Sequence, residues 1–249
     1  MRKRSLITLL MALIFVAIAQ AQSTYVIIHG AWGGAWQFKN TATHLQEAGH
    51  VVYRPTMTGL GERHHLYNDQ VNLTTHITDV VNTILFEDLQ DVVLVGHSYG
   101  GMVVTGVADS IPERIKKVIY LDAIFPEVNQ SAVQALGMGE INGSNSFKAQ
   151  NGRIIPSWVR DTTKTPRDVP HPAATFTQRL KYDAEKLAKL PITYILTYEH
   201  ANGGKERDDF YRFYKNGKER NWKIVELEAS HNPQIDKLNE LVAILLEEK

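Results

Sequence analysis

The sequence contains no cysteine among its 249 residues. A chain without cysteine forms no disulfides, so its folded state has to be stabilised by the packing of its core. Thiol nucleophiles and thiolate metal sites are excluded for the same reason. The composition is otherwise that of a globular protein, with 43% hydrophobic and 22% charged residues, so a sizeable core is expected.

No charge of one sign predominates, because 27 Lys and Arg residues balance 27 Asp and Glu residues. A nucleic-acid-binding surface needs an excess of basic residues on one face, so no nucleic-acid partner is predicted. The sequence has no G-x-G-x-x-G fingerprint, which argues against dinucleotide binding. The adjacent His64 and His65 lack further ligands at metal-binding spacing, so neither a metal nor a cofactor is predicted.

No apolar run has the length of a membrane span. The run from Leu6 to Ala19 is about 14 residues long, whereas a spanning helix needs ~20. It follows basic residues at positions 2–4 and ends in small residues around Ala21. This pattern predicts a secretory signal peptide over residues 1–21, and an exported, periplasmic or secreted, mature chain without stable membrane insertion. A retained membrane anchor is the alternative.

Short, almost continuously apolar segments alternate with segments of helical spacing. This alternation predicts an α/β fold, with a mostly parallel sheet of about six strands and helices on both faces. Residues 126–172 have no strand pattern and are predicted to form a small cap inserted in a single domain over 22–249. Strands are predicted over 24–30, 50–55, 91–97, 116–122, 192–198 and 222–228, and helices over 35–48, 73–86, 99–109, 175–190 and 234–248.

The stretch LVGHSYGGM, residues 94–102, places Ser98 in a G-x-S-x-G pattern between a predicted strand and a predicted helix. In that context the pattern is typical of a nucleophile elbow, a sharp turn at which glycines remove side chains that would collide. Ser98 is therefore predicted to be a nucleophile, and its hydroxyl needs a base to become reactive. A simple glycine-rich turn is the alternative.

Histidine is the usual base for a serine nucleophile, and His231 lies where that base is expected. It follows the last predicted strand, and in a nucleophile-elbow fold the histidine comes last in chain order. His231 is therefore predicted to act as general base and acid. The oxyanion hole is predicted to consist of the backbone amides of Tyr99 and of Ala31 in the loop HGAWGGAW, with Trp32 as the alternative to Ala31.

Five stretches together resemble the α/β-hydrolase superfamily. Within it they are similar to the branch of plant methyl-ester hydrolases, salicylate-binding esterases and hydroxynitrile lyases, with small bacterial esterase-like relatives. The resemblance is dense over residues 24–128, thinner through the cap, and returns near His231. It implies a Ser–His–acid triad, a small helical cap and no cofactor. The stretches are VIIHGAWGGAW, GLGERHHL, THITDVV, VVLVGHSYGGMV and VIYLDAIFPE.

Three positions depart from the lyases of this branch. Those lyases have threonine in place of Gly30, glutamate in place of His97 and lysine in place of Asn232. The sequence therefore favours ester hydrolysis over cyanohydrin cleavage.

The resemblance leaves the acid of the triad open. Where the plant enzymes have Glu-Asp, this sequence has Glu199 followed by His200. Asp122, at the end of the preceding strand, is predicted to be the acid that orients the histidine. Glu199 is the first alternative, followed by Asp208, Asp209 or the absence of an acid.

The predicted function is that of a serine carboxylesterase acting on small, aryl or methyl, esters through an acyl-enzyme on Ser98. Gly30, Trp32 and Trp158 are predicted to contact the substrate, although core packing is the alternative for both tryptophans. The predicted partner is a small-molecule ester, and the protein is expected to be a monomer or homodimer. A weakly catalytic or non-catalytic ligand-binding protein of the same fold is the second hypothesis, and lyase-like or perhydrolase chemistry is the third.

Overall fold

The computed structural model describes residues 22–143 and 147–249. The predicted signal peptide, residues 1–21, lies outside the described residues, so export stays a prediction. Within the described part of the chain, no helix combines the length and apolar character needed to cross a membrane.

A six-stranded sheet forms the centre of the fold, with the strand order β2-β1-β3-β4-β8-β9. Every neighbouring pair in it is parallel, which confirms the predicted α/β class. In chain order the strands of the described residues are β1 (Thr24–Ile28), β2 (Val51–Tyr53), β3 (Val92–His97), β4 (Ile115–Leu121), β5 (Ala149–Gln150), β6 (Arg153–Ile154), β7 (His171–Pro172), β8 (Ile192–Tyr198) and β9 (Lys223–Glu228).

Helices cover both faces of this sheet. On β1, Val26 and Ile28 belong to one buried apolar cluster, while Tyr25 and Ile27 belong to another. Burial on both faces explains why the strands are almost continuously apolar. In the described residues the helices are α1 (Lys39–Glu47), α2 (Leu73–Phe86), α3 (Gly100–Ser110), α4 (Ala132–Ala135), α5 (Ala174–Thr177), α6 (Ala184–Ala188), α7 (Tyr211–Glu219), α8 (Pro233–Asp236) and α9 (Leu238–Glu247), with short 3-10 turns between some of them.

The helix predicted over 175–190 is wrong, because the chain forms two short helices there, α5 and α6. Between them the backbone of Leu180 bonds in both directions with the segment 129–130, which holds it extended. The side chain of Asp183 then accepts hydrogen bonds from the amides of Glu185 and Lys186 and begins α6. The backbone pairing at Leu180 and the N-cap at Asp183 therefore interrupt the helix that the apolar spacing predicts.

Two other elements differ from the sequence-based expectation. The cap segment 126–172 contains β5, β6 and β7, which form a three-stranded antiparallel sheet of two-residue strands. Strands of two residues are too short to show an alternation of apolar and polar residues in the sequence. Helix α7 was not predicted, although Phe213, Tyr214 and Gly217 form its buried face at helical spacing.

Helix α3 packs so closely on the segment after β4 that it tolerates only glycine at position 101. A Cβ atom added to Gly101 would overlap the carbonyl oxygen of Ile124 and lie 3.0 Å from Cβ of Ala123. Within a helix, alanine is ordinarily favoured over glycine by about 1 kcal/mol. Because of this backbone contact, we expect alanine at position 101 to be less favourable than glycine.

We predict that Gly101→Ala destabilises the protein by more than about 2 kcal/mol, because backbone atoms of two elements would have to move apart. Gly139→Ala is the matched control, since a Cβ there meets open space, and it should change stability by less than about 0.5 kcal/mol. Urea unfolding measures both variants. Equal stabilities for the two variants would contradict the close packing.

Candidate active site

Ser98 lies at a sharp turn between β3 and α3. Its φ is +56°, a left-handed conformation that is unusual for a residue with a side chain. A Cβ on Gly96 would lie 2.8 Å from the carbonyl oxygen of Gly100, and a Cβ on Gly100 would lie 2.8 Å from that of Ile28. The Ser98 amide donates to Leu121 at 3.2 Å. The flanking glycines therefore permit the turn, and the adjacent strand fixes it.

His231 connects Ser98 to a buried carboxylate. Its Nε2 lies 3.0 Å from Oγ of Ser98, and its Nδ1 lies 2.6 Å from Oδ2 of Asp122. The other oxygen of Asp122 accepts the amide hydrogen of Thr197 at 3.2 Å. Because an ionised carboxylate only accepts, Nδ1 carries the imidazole proton and Nε2 is free to accept from the serine hydroxyl.

Among the described residues, the other acidic side chains considered from the sequence line a small cavity next to His231 but do not hydrogen-bond to it. Glu199 is exposed and accepts a hydrogen bond from Asn202 at 2.7 Å. Asp208 accepts from the amide of Phe210 at 2.8 Å, and burial together with the negative charge of Asp122 raises its pKa to about 6. Asp209 is exposed at the rim of the cavity beside Ser98. The structure thus joins Asp122 to the histidine.

His231 is enclosed between two aromatic rings. Phe210 stacks on one face, with ring centroids 4.7 Å apart and planes inclined by 16°. The ring of His97 is inclined by 35° to the imidazole of His231, with centroids 4.8 Å apart, and its Nε2–H donates to the carbonyl oxygen of His231 at 2.7 Å. These contacts restrict the imidazole to the plane that reaches both Ser98 and Asp122.

Ala31 and Tyr99 both line the cavity beside Ser98. Neither backbone amide donates a hydrogen bond to another group of residues 22–143 or 147–249. The Gly30 carbonyl accepts from Nδ1–H of His29 at 2.8 Å, and in a planar trans peptide the Ala31 N–H then points the opposite way. The Trp32 amide is already used, because it donates to Nδ1 of His171 at 3.1 Å. Ala31 and Tyr99 are therefore the amides available to an oxyanion.

A cavity of about 340 Å³ opens next to Ser98. Trp32 and Trp158 both line it, with ring centroids 5.0 Å apart, and Trp158 donates its Nε1–H to Asp168 at 2.8 Å. Gly30 is buried behind Ser98 and does not line the cavity. The cavity residues that the sequence did not point to are Ile124, Leu136, Met138, Phe147, Phe176, Phe210 and Arg212. Phe176 lies in α5, and the others come from irregular segments or from the unpredicted α7 and the residue before it, where no motif marks them.

Four fully buried histidines surround the site without lining its cavity. Burial lowers the pKa of His29 and His76 to about 4 and that of His97 to about 3, and it holds the pKa of His171 well below its ordinary value. These imidazoles are therefore neutral at pH 7. Among the described residues, no group of three or more His, Asp or Glu side chains is arranged to hold a metal ion.

Comparisons with known proteins identify similar chains. A model of the alpha/beta hydrolase family matches residues 25–244. The carbendazim hydrolyzing esterase of a Nocardioides species is 36% identical over 239 residues, covering 88% of this chain and 96% of that protein. Polyneuridine aldehyde esterase of Rauvolfia serpentina is 29% identical over 121 residues, covering 46% of this chain and 44% of that protein.

Among solved structures, an extracellular alpha/beta-hydrolase from a Paenibacillus species superposes with a TM-score of 0.69. The match has 23% sequence identity and covers 90% of this chain and 98% of that one. At this identity the likeness supports the fold.

We predict that acidification unfolds the protein, because the buried histidines accept protons only in the unfolded chain. Their pKa values are depressed in the folded state, so between pH 6.5 and about 4 the unfolded state binds more protons, and stability falls as pH falls. A histidine whose pKa is 6.5 in the unfolded chain and about 4 in the folded state lowers the free energy of unfolding by ~3 kcal/mol over this pH range. Urea unfolding at several pH values from 7.5 to 4.5 measures the decline.

His76→Gln tests the origin of this slope. It should reduce the loss of stability by about 1.4 kcal/mol per pH unit within that range, the equivalent of one proton. His65→Gln, at an exposed histidine, is the control and should leave the slope unchanged. If His76→Gln and the wild type have the same slope, protonation of His76 does not contribute to the loss of stability.

Proposed function

We propose that this chain, which belongs to the alpha/beta hydrolase family and is a carboxylic ester hydrolase, cleaves small esters through an acyl-enzyme formed on Ser98. The observation that carries the proposal is the continuous set of contacts from Asp122 through His231 to Ser98, at 2.6 and 3.0 Å. It is the arrangement that activates a serine hydroxyl.

In the proposed reaction, Oγ of Ser98 attacks the ester carbonyl while Nε2 of His231 takes its proton. Asp122 stabilises the imidazolium that forms, and the amides of Ala31 and Tyr99 donate to the oxyanion. His231 then protonates the departing alkoxide, which leaves an acyl group on Ser98. Water, deprotonated by the same nitrogen, attacks that acyl group, and the acid is released as the Ser98 hydroxyl is restored.

The cavity supports a small substrate with a flat apolar group. Its volume of about 340 Å³ lies at the lower end of ligand pockets, which span roughly 300–1,000 Å³. Trp32, Phe147 and Phe176 form one packed group of rings, with centroid distances of 5.3 to 6.0 Å, and Trp158 extends it. We therefore propose aryl or methyl esters as substrates. Carbendazim, which the Nocardioides relative is named for hydrolysing, is a second compound to test.

We predict that Ser98→Ala abolishes hydrolysis of p-nitrophenyl acetate and that Asp122→Asn lowers kcat by about 10³–10⁴-fold, because the imidazole loses its orientation and its countercharge. Glu199→Gln is the matched carboxylate control and should stay within about twofold of the wild type, since Glu199 bonds to Asn202 instead. Steady-state kinetics at pH 7.5 measure all three variants.

If the wild type hydrolyses p-nitrophenyl acetate no faster than Ser98→Ala does, the proposed reaction on Ser98 fails, and where neither exceeds the uncatalysed rate a ligand-binding protein of the same fold becomes the better hypothesis. Equal, mild losses of kcat in Asp122→Asn and Glu199→Gln would refute Asp122 as the acid, while Ser98 would still be the proposed nucleophile.

We predict that Trp158→Ala raises KM for methyl benzoate by about 5–20-fold while leaving methyl acetate within about twofold, because only the aryl ester loses a ring contact. Trp158 is 55% exposed, so its removal should not unfold the protein. Phe86→Ala, at an aromatic residue that is 89% exposed and does not line the cavity, is the control. Equal changes in KM for the two esters would show that Trp158 does not recognise the aryl group.

A further inference from the structure

The loop that supplies the Ala31 amide contains a strained turn centred on Trp32. The φ of Trp32 is +62°, and the amide of Gly33 donates to the carbonyl oxygen of Ala31 at 2.8 Å. A hydrogen bond between residues i and i+2 across a positive φ defines the rare form of the γ-turn. For a bulky aromatic residue this conformation persists only where the surrounding structure holds it.

The cap provides that support through every polar group of Trp32. The backbone amide of Trp32 donates to Nδ1 of His171 at 3.1 Å, and its carbonyl accepts from the amide of Val169 at 2.8 Å. Its indole Nε1–H donates to the carbonyl oxygen of Ile154 at 3.1 Å. All three partners lie in the cap, so the cap holds the turn at three points.

His171 is the one side chain among these partners, and its proton arrangement is fixed. It is fully buried, and its Nε2 lies 2.7 Å from Oγ1 of Thr175. The Thr175 hydroxyl donates its own proton to the carbonyl of Pro172 at 2.8 Å, so it accepts from His171. Nε2 of His171 therefore carries the proton, and Nδ1 presents the lone pair that Trp32 needs.

We propose that His171 is a positioning residue for ester hydrolysis, which holds the strained turn at Trp32 and thereby the adjacent Ala31 amide that receives the oxyanion. The inference rests on the proposed function. His171 also packs edge-on against Tyr99, the residue of the other oxyanion amide, with ring centroids 4.9 Å apart. One cap side chain thus contacts both halves of the oxyanion hole.

Loss of the acceptor at position 171 leaves the Trp32 amide buried without a partner and lets the turn relax. The Ala31 amide then moves away from the oxyanion, although His29 still holds the other side of its peptide. Removal of an oxyanion donor lowers kcat by about 10²–10³-fold, so a displaced donor should cost about 10–100-fold. KM should change by less than about threefold, because the donor acts mainly in the transition state.

The test compares His171→Phe, which removes the acceptor, with His171→Asn, whose side-chain oxygen restores one near Nδ1. His171→Phe should lower kcat about 10–100-fold per active site, and His171→Asn should recover most of it. The inhibition constant of phenylboronic acid, which forms a tetrahedral adduct on serine, should rise by the same factor in His171→Phe. If His171 has only a structural role, His171→Phe should lower the melting temperature and the number of active sites but leave kcat per active site and the inhibition constant unchanged.

Thr175→Val is the second variant and keeps the inference testable if His171→Phe does not fold. It removes the acceptor for Nε2–H of His171 and should lower kcat by about 3–10-fold. Full turnover per active site in the folded His171→Phe and Thr175→Val variants, while Ser98→Ala is inactive, would overturn the inference and leave the proposed function intact. Activity in Ser98→Ala would instead refute the proposed function.

Discussion

The hydrogen bond between Asp122 and His231 is the contact on which the arrangement of the site depends. It joins residues 109 positions apart in the chain, one directly after β4 and one in the loop after β9. Strand β8 lies between β4 and β9, and its Thr197 amide binds the second oxygen of the same carboxylate. The parallel register brings all three strand ends to one edge of the sheet, so the sheet holds the carboxylate of Asp122 and the imidazole of His231 in place.

The surroundings of that pair restrict where positive charge can form. His29, His76, His97 and His171 are buried and neutral, so none of them repels an imidazolium on His231. Each also makes a specific hydrogen bond to the backbone or to another side chain of the site. Desolvation therefore serves two purposes here. It keeps the neighbouring rings uncharged, and it makes their donor and acceptor nitrogens fixed parts of the site.

Sequence reasoning located those parts of the molecule that follow from repeated local patterns. The helix predicted over 73–86 coincides with α2, and the main strands lie within a few residues of their predicted bounds. Both kinds of element are predictable because the spacing of their apolar residues follows the period of the helix or strand. Motif context and chain order placed Ser98 and His231. The choice of Asp122 over Glu199 depends on the left-handed backbone at position 122, where φ is +43°, and on the direction of each side chain. The remaining cavity residues lie in irregular segments, some of them in the cap, or in short helices, and no motif or long apolar period marks them.

The cap both lines the cavity and holds the turn at Trp32. Trp32 forms part of the cavity wall, and its backbone also carries the turn beside the Ala31 amide. Its supports, from Ile154 to His171, belong to the segment that shapes the cavity. A change in the cap that enlarges or narrows the cavity therefore also acts on the turn at Trp32. If the Ala31 amide donates to the oxyanion as proposed, substrate selection and the stabilisation of the transition state depend on the same residue, Trp32.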